Sequence, residues 1–150
     1  MNRLALLAVG AAGLTALTCA PAFAAAPAAA TETVTSCGDA GLQAGLTTRV
    51  CADVTGTTVE IRGRIGLAGP PSPGSPAPGP RELFTTLTVE VLGGAAPVTQ
   101  ARPVVFNSST LEVGGPAGPV PCGSTVRATF GVASFPWTAR PVVHEVTVSC

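Results

Sequence analysis

The 150-residue chain contains no lysine and no tyrosine, a single histidine and only two aspartates. Its eight arginines are balanced by eight carboxylates and form no cluster in the sequence. A nucleic-acid surface needs several convergent cations, so we expect no nucleic-acid partner. The lone His144 cannot supply the paired histidines of a zinc peptidase, and no nucleophile elbow, phosphate loop or calcium loop occurs. The sequence therefore predicts no catalytic residue, no metal ion and no cofactor.

Long apolar runs are confined to the start of the chain. Residues 1–24 have the organisation of a secretory signal peptide. Arg3 precedes an apolar stretch over 4–17, and residues 22–24 form the small-x-small motif Ala-Phe-Ala. We predict cleavage after this motif and export of the remainder, without membrane association, since no later run is long enough to span a bilayer. A lipid anchor at Cys19 is not expected, because alanine stands three residues before it where lipoprotein signals carry leucine.

The remaining length suits one domain. We predict a flexible lead over 25–35 and a single domain over 36–150. Arginine is the only strongly basic residue, and alanine, glycine, proline, threonine and valine are abundant. This composition resembles that of small exported proteins from high-GC, actinomycete-like bacteria. Because the resemblance is one of composition, it implies no named family and no functional residue.

Four cysteines follow the signal segment. An even number in an exported chain, without a Cys-x-x-Cys motif, predicts disulfides rather than a metal site. Three pairings are open. We favour Cys37 with Cys51 and Cys122 with Cys150, because each bond then closes a short local loop.

The last 29 residues, 122–150, contain two alternating runs with a cysteine at each outer end. Each run places apolar side chains on one face, as a half-buried strand requires. Folding the runs antiparallel with the two cysteines opposite each other also aligns their apolar faces, which a one-residue slip would not do. The predicted opposite pairs are Val126 with Val146, Ala128 with His144, and Phe130 with Val142.

Two further strands alternate clearly, at 58–67 and 81–92. Gly63 lies on the apolar face of the first strand, which indicates a bulge or the approach of a large neighbour. If the two strands pair, Glu90 lies opposite Glu60 in a surface ladder that also contains arginine.

Glycine and proline mark the connections. We predict a loop with one helical turn over 37–51, a spacer over the proline-rich segment 68–80, and a break over 114–119. The stretch 98–106 can form a strand, and Pro103 would then place it at an edge or a bulge. Seven or eight short strands without a convincing helix predict an all-β, antiparallel sandwich of immunoglobulin-like type, with a small Greek-key barrel as the alternative.

The tip of the last hairpin, residues 133–141, concentrates residue types that dominate binding hot spots. Phe135, Trp137 and Arg140 therefore form a candidate binding loop. A competing interpretation, favoured because the chain has few aromatic residues, is that Phe135 and Trp137 fold over the open end of the sandwich as a core plug. His144 is expected to be a hydrogen-bonded core or rim residue.

Three functions of different classes remain open. The first is an exported, noncatalytic module that binds an unidentified extracellular protein or a cell-wall component. The second is an extracellular protease inhibitor that presents the hairpin tip or the loop over 37–51 in extended form. The third is a small hydrolase, which would need carboxylates to converge with His144 in a cleft.

Overall fold

The computed structural model describes residues 32–70, 72–74 and 79–150. The predicted signal segment 1–24, with Cys19, lies outside the described residues. Within the described part the chain forms nine strands and no helix, and hence no helix suited to crossing a membrane. The strands are β1 (Thr33–Cys37), β2 (Gly41–Gln43), β3 (Leu46–Thr55), β4 (Thr58–Leu67), β5 (Arg81–Val91), β6 (Val98–Phe106), β7 (Thr110–Pro119), β8 (Thr125–Ala133) and β9 (Val142–Thr147).

The strands form two antiparallel sheets. Sheet A has the order β1-β3-β4-β7, with β2 also paired to β3, and sheet B has the order β6-β5-β8-β9. The inward side chains of both sheets share one buried core. This confirms the predicted all-β, antiparallel sandwich, with nine strands instead of seven or eight. The first strand begins at Thr33, inside the segment predicted as a flexible lead.

The core is organised around Phe130 of β8, which is fully buried between the sheets. Its ring occupies the space above Gly63 of β4, where an added Cβ atom would stand 2.5 Å from the ring carbons. The predicted approach of a large neighbour to Gly63 is thereby confirmed. Aliphatic side chains from both sheets complete the same core, among them Ile61, Ile65, Leu83 and Leu87.

The final hairpin has the predicted register. All three predicted residue pairs between β8 and β9 occur, and a disulfide joins Cys122 to Cys150 beyond the strand ends. The second predicted disulfide joins Cys37 to Cys51, which are directly paired residues of β1 and β3. Two disulfides are consistent with an oxidising, extracellular location.

The pairing considered for the strands at 58–67 and 81–92 does not occur, because β4 and β5 lie in opposite sheets. Glu60 faces Asp53 of β3 instead of Glu90. Oppositely charged side chains do pair on the surface, but Arg62 forms these ion pairs with Asp53, at 2.5 Å, and with Glu112, at 3.6 Å. An alternating pattern shows which face of a strand is buried. It does not show whether a second alternating strand pairs with the first in one sheet or packs against it from the opposite sheet.

The segment 37–51 contains a β-hairpin instead of a loop with a helical turn. β2 and β3 are joined by a two-residue turn at Ala44 and Gly45, whose φ angles are both positive, 51° and 74°. A turn with two positive φ angles has the twist that antiparallel strands need, so it holds the hairpin closed.

Two glycines that the sequence suggests as breaks, Gly38 and Gly41, are instead points of close contact between the sheets. A Cβ atom on Gly38 would lie 2.8 Å from the carbonyl oxygen of Val143, and one on Gly41 would lie 2.5 Å from Val142 Cγ1. Both contacts are with β9. The missing side chains therefore allow the start of sheet A to approach the edge of sheet B.

β7 runs through the break predicted over 114–119 and ends only at Pro119. Its register against β4 shifts between Glu60 and Arg62, so that two residues of β7 oppose one of β4. Proline is tolerated there because β7 is an edge strand with one unpaired side. Pro103 likewise lies in an edge strand, β6, as predicted.

Candidate functional site

The tip of the last hairpin is a tight turn closed by two backbone hydrogen bonds. Trp137 N donates to Ser134 O at 2.6 Å and Ser134 N donates to Trp137 O at 3.2 Å, around a cis Phe135–Pro136 peptide. Both aromatic side chains point away from the core: Phe135 is 98% exposed and Trp137 is 62% exposed. The predicted core plug is therefore wrong. The core takes its aromatic volume from Phe106 and Phe130 instead.

The tip of the last hairpin, residues 133–141, is called the tip loop, and its second half packs against sheet B. A Cβ atom built on Gly131 of β8 would stand 3.3 Å from Ala139 Cβ and 3.6 Å from Pro141 Cγ. The loop is thus in contact with the outer face of β8, where Gly131 leaves room for it. Only the turn around Phe135 and Trp137 projects from the sheet.

Gln43 of β2 connects sheet A, sheet B and the tip loop. Its side chain is 2% exposed and all of its amide hydrogen-bonding groups are used. Nε2 donates to Thr48 Oγ1 at 2.8 Å and to Phe130 O at 3.0 Å. Oε1 accepts from Val132 N at 2.9 Å and from Arg140 N at 3.1 Å. The pairing of β9 with β8 ends at Phe130. Beyond that point the Gln43 amide bonds the backbone of β8 in place of a neighbouring strand.

The sequence did not predict this role of Gln43. Its position in the chain, after one apolar residue and within a glycine-containing segment, resembles that of any surface polar residue. A buried glutamine can be recognised only when its distant backbone partners are known, and Val132 lies 89 residues away.

A groove of about 560 Å³ separates the turn of the β2–β3 hairpin from the tip loop. This volume lies within the range of about 300–1,000 Å³ that is usual for small-ligand sites. Gln43 forms part of the wall, but its amide has no free donor or acceptor for a ligand. The lining residues are Leu42, Gln43, Ala44, Gly45, Arg81, Trp137, Thr138 and Arg140.

The groove carries positive charge. Arg81 and Arg140 line it, and none of the described lining residues is acidic. Neither arginine forms an ion pair with any residue that the structure describes, whereas Arg62, Arg64 and Arg127 all do. The Arg81 guanidinium lies beside the hairpin turn, with Nη1 4.0 Å from the position of a Cβ atom on Gly45. The site thus combines two unpaired cations with one exposed indole.

Comparison of the chain with known protein families, curated proteins and solved structures finds no match. The groove residues are therefore assigned from geometry and chemistry alone. Of the candidate binding loop, Trp137 and Arg140 line the groove, and Phe135 lies outside its lining.

His144 lies at the seam between the sheets and not in the groove. Its Nε2 is 2.9 Å from Ser36 Oγ, as expected for a hydrogen-bonded rim residue. In the described ranges no group of three or more His, Cys, Asp or Glu residues is arranged to hold a metal ion. Elsewhere on sheet B, the hydrogen bond that Arg127 Nε donates to Glu145 Oε1 raises the pKa of Arg127 above its ordinary value. That pair connects β8 to β9 and lies outside the groove.

Proposed function

We propose that this protein is an exported, noncatalytic binding module that holds its ligand in the groove between the β2–β3 turn and the tip loop. The observation that carries the proposal is the position of Trp137, which is 62% exposed and forms one wall of the groove. An exposed tryptophan beside arginine is the composition of a binding hot spot. The loop is held by Gln43 and by contacts with β8, so it loses little conformational entropy on binding.

Export rests on the signal-like segment 1–24 and on the two disulfides. The expected partner is an extracellular protein or a cell-wall component, in an actinomycete-like bacterium. An immunoglobulin-like assignment is supported by the connections. After β4 the chain crosses to sheet B, where it forms β5 and β6, and then returns to sheet A, where β7 pairs with β4. This is a Greek-key arrangement.

Protease inhibition and hydrolysis have less support. An inhibitor would present an extended segment, but the tip is a closed turn and residues 37–51 are largely paired in strands. A hydrolase would need an acidic partner for His144, whose described side-chain partner is Ser36.

The test is retention of the exported chain, recovered from culture medium, on washed cell walls and on culture-fluid proteins of the organism that encodes it. We expect the wild type to be retained and Trp137→Ala to be lost. Phe84→Ala is the matched control, because Phe84 is a comparably exposed aromatic residue, 66%, on β5 outside the groove lining. Equal retention of wild type and Trp137→Ala would contradict the assignment of the groove, and retention of neither would contradict a binding function.

A further inference from the structure

We propose that the groove binds an acidic saccharide, a sugar ring that carries a carboxylate. This inference rests on the proposed binding function and names its ligand class. It follows from three properties of the groove: the exposed indole of Trp137, two guanidinium groups that form no ion pair with a described residue, and the absence of acidic residues from the described lining. Each property restricts the chemistry of the ligand in a different way.

Trp137 restricts the shape of the ligand. Its indole presents a flat, apolar face, and the neighbouring Leu42 of the groove lining is 66% exposed. A sugar ring has a face of C–H groups that can stack on an indole, while its hydroxyl groups remain available to Thr138 and to water. A concave site of about 560 Å³ suits a ligand of one or two rings better than the broad, flat surface of a protein partner.

Arg81 and Arg140 restrict the charge of the ligand. Guanidinium groups bind carboxylates through two parallel hydrogen bonds, and an arginine without an ion pair has its donors available. Their backbones are held in place, since Arg81 begins β5 opposite Phe106 and the Arg140 amide donates to Gln43. Two cations in a groove whose described lining has no acidic residue attract an anionic ligand and disfavour a cationic one.

The overall charge argues against a polyphosphate ligand. A phosphate backbone engages several cations along its length, but the chain as a whole carries a formal net charge of +0 and has no lysine. Two arginines in one groove instead match a ligand with one carboxylate per ring.

The experiment measures binding of the exported chain to three probes at low salt: polygalacturonate, its fully methyl-esterified form and polyglutamate. We expect polygalacturonate to bind, the neutral ester to bind at least about tenfold more weakly, and polyglutamate to bind more weakly than polygalacturonate, because it lacks the ring. Raising the salt concentration should weaken only the binding of charged probes.

Arg81→Gln and Arg140→Gln should each reduce polygalacturonate affinity about tenfold while leaving the weak binding of the ester unchanged. Arg49→Gln is the control, since Arg49 is an exposed arginine of β3 outside the groove, without an ion pair in the described chain. Trp137→Ala should weaken both sugar probes.

The outcomes separate this inference from the proposed function. The inference would be overturned if polygalacturonate and its ester bound equally, or if both arginine variants kept the wild-type affinity. In either case, retention on cell walls that depends on Trp137 would still support the binding module. Stronger binding of polyglutamate would show an acidic protein ligand and overturn the saccharide. Failure of all three probes would also overturn it.

Discussion

At the scale of single residues, Gly63 shows how one missing side chain organises the core. The glycine lies in the middle of β4, where its inward position would ordinarily hold an aliphatic side chain. Phe130 takes that volume from the opposite sheet, with its ring where a Cβ atom would be. The two residues therefore act as one packing unit that joins the sheets.

Gly63→Ala should lower the free energy of unfolding by about 1–3 kcal/mol, because the new methyl group must displace a buried ring. Urea denaturation followed by far-UV circular dichroism measures the change. Gly66→Ala in the same strand is the control, since its nearest heavy atom is Ser109 O at 3.7 Å and the methyl group meets no obstacle. Combining Gly63→Ala with Phe130→Leu should cost less than the sum of the two single changes. Additive costs, or a Gly63→Ala variant as stable as the wild type, would show that the ring does not occupy this space.

At the scale of elements, the β2–β3 hairpin is the link between the sandwich and the site. Sequence patterns suggest a loop here, because three glycines fall within eight residues, at positions 38, 41 and 45. In the structure two of them allow close contact with β9, and the third completes the turn. The hairpin then directs Gln43 to the end of β8 and forms one wall of the groove.

Gln43→Leu should lower the free energy of unfolding by about 3 kcal/mol, because it keeps the side-chain size but leaves the buried groups that Gln43 bonds without partners. Amide hydrogen exchange should also increase at Val132 and Arg140, whose N–H groups bond to Gln43. Gln100→Leu is the matched control, since that half-buried residue makes one side-chain hydrogen bond in the described chain, to Gly114 O at 3.5 Å. If exchange at Arg140 does not change in Gln43→Leu, the tip loop is held by other contacts.

The edges of the sheets could be predicted only in part. Pro103 predicted an edge or a bulge, because proline cannot donate to a central ladder, and β6 is an edge strand. The same rule failed for 114–119, where glycine and proline were expected to end the strand but instead form the second half of an edge strand. The difference lies in the neighbouring strand β4, which accepts the irregular segment through a register shift.

At the scale of the whole molecule, two disulfides close loops with sequence separations of 14 and 28 residues. One joins neighbouring strands of sheet A, and the other closes the base of the last hairpin. In the chain-entropy description, each bond stabilises the fold by restricting the unfolded chain, and the longer loop contributes more.

Replacing both Cys122 and Cys150 by serine should lower the free energy of unfolding by about 3.6 kcal/mol, and replacing Cys37 and Cys51 should lower it by about 3 kcal/mol. Urea denaturation of both double variants, with and without reductant, measures these differences. Reductant should destabilise the wild type and leave a variant that lacks all four cysteines unaffected. A double variant with wild-type stability would contradict the expected contribution of its disulfide.

Local patterns in the sequence were enough to predict the inward faces of the strands, the disulfide pairing and the register of the last hairpin. These features depend on a local period of two and on cysteines close in the chain, so few alternatives compete. Three other features appear only in the folded chain: which strands are neighbours, the exposure of Trp137 to solvent, and the groove that Trp137 shares with Arg81 and Arg140. Those features arise from contacts between distant residues, such as Gln43 with Val132, 89 residues apart, and local patterns carry no information about such contacts.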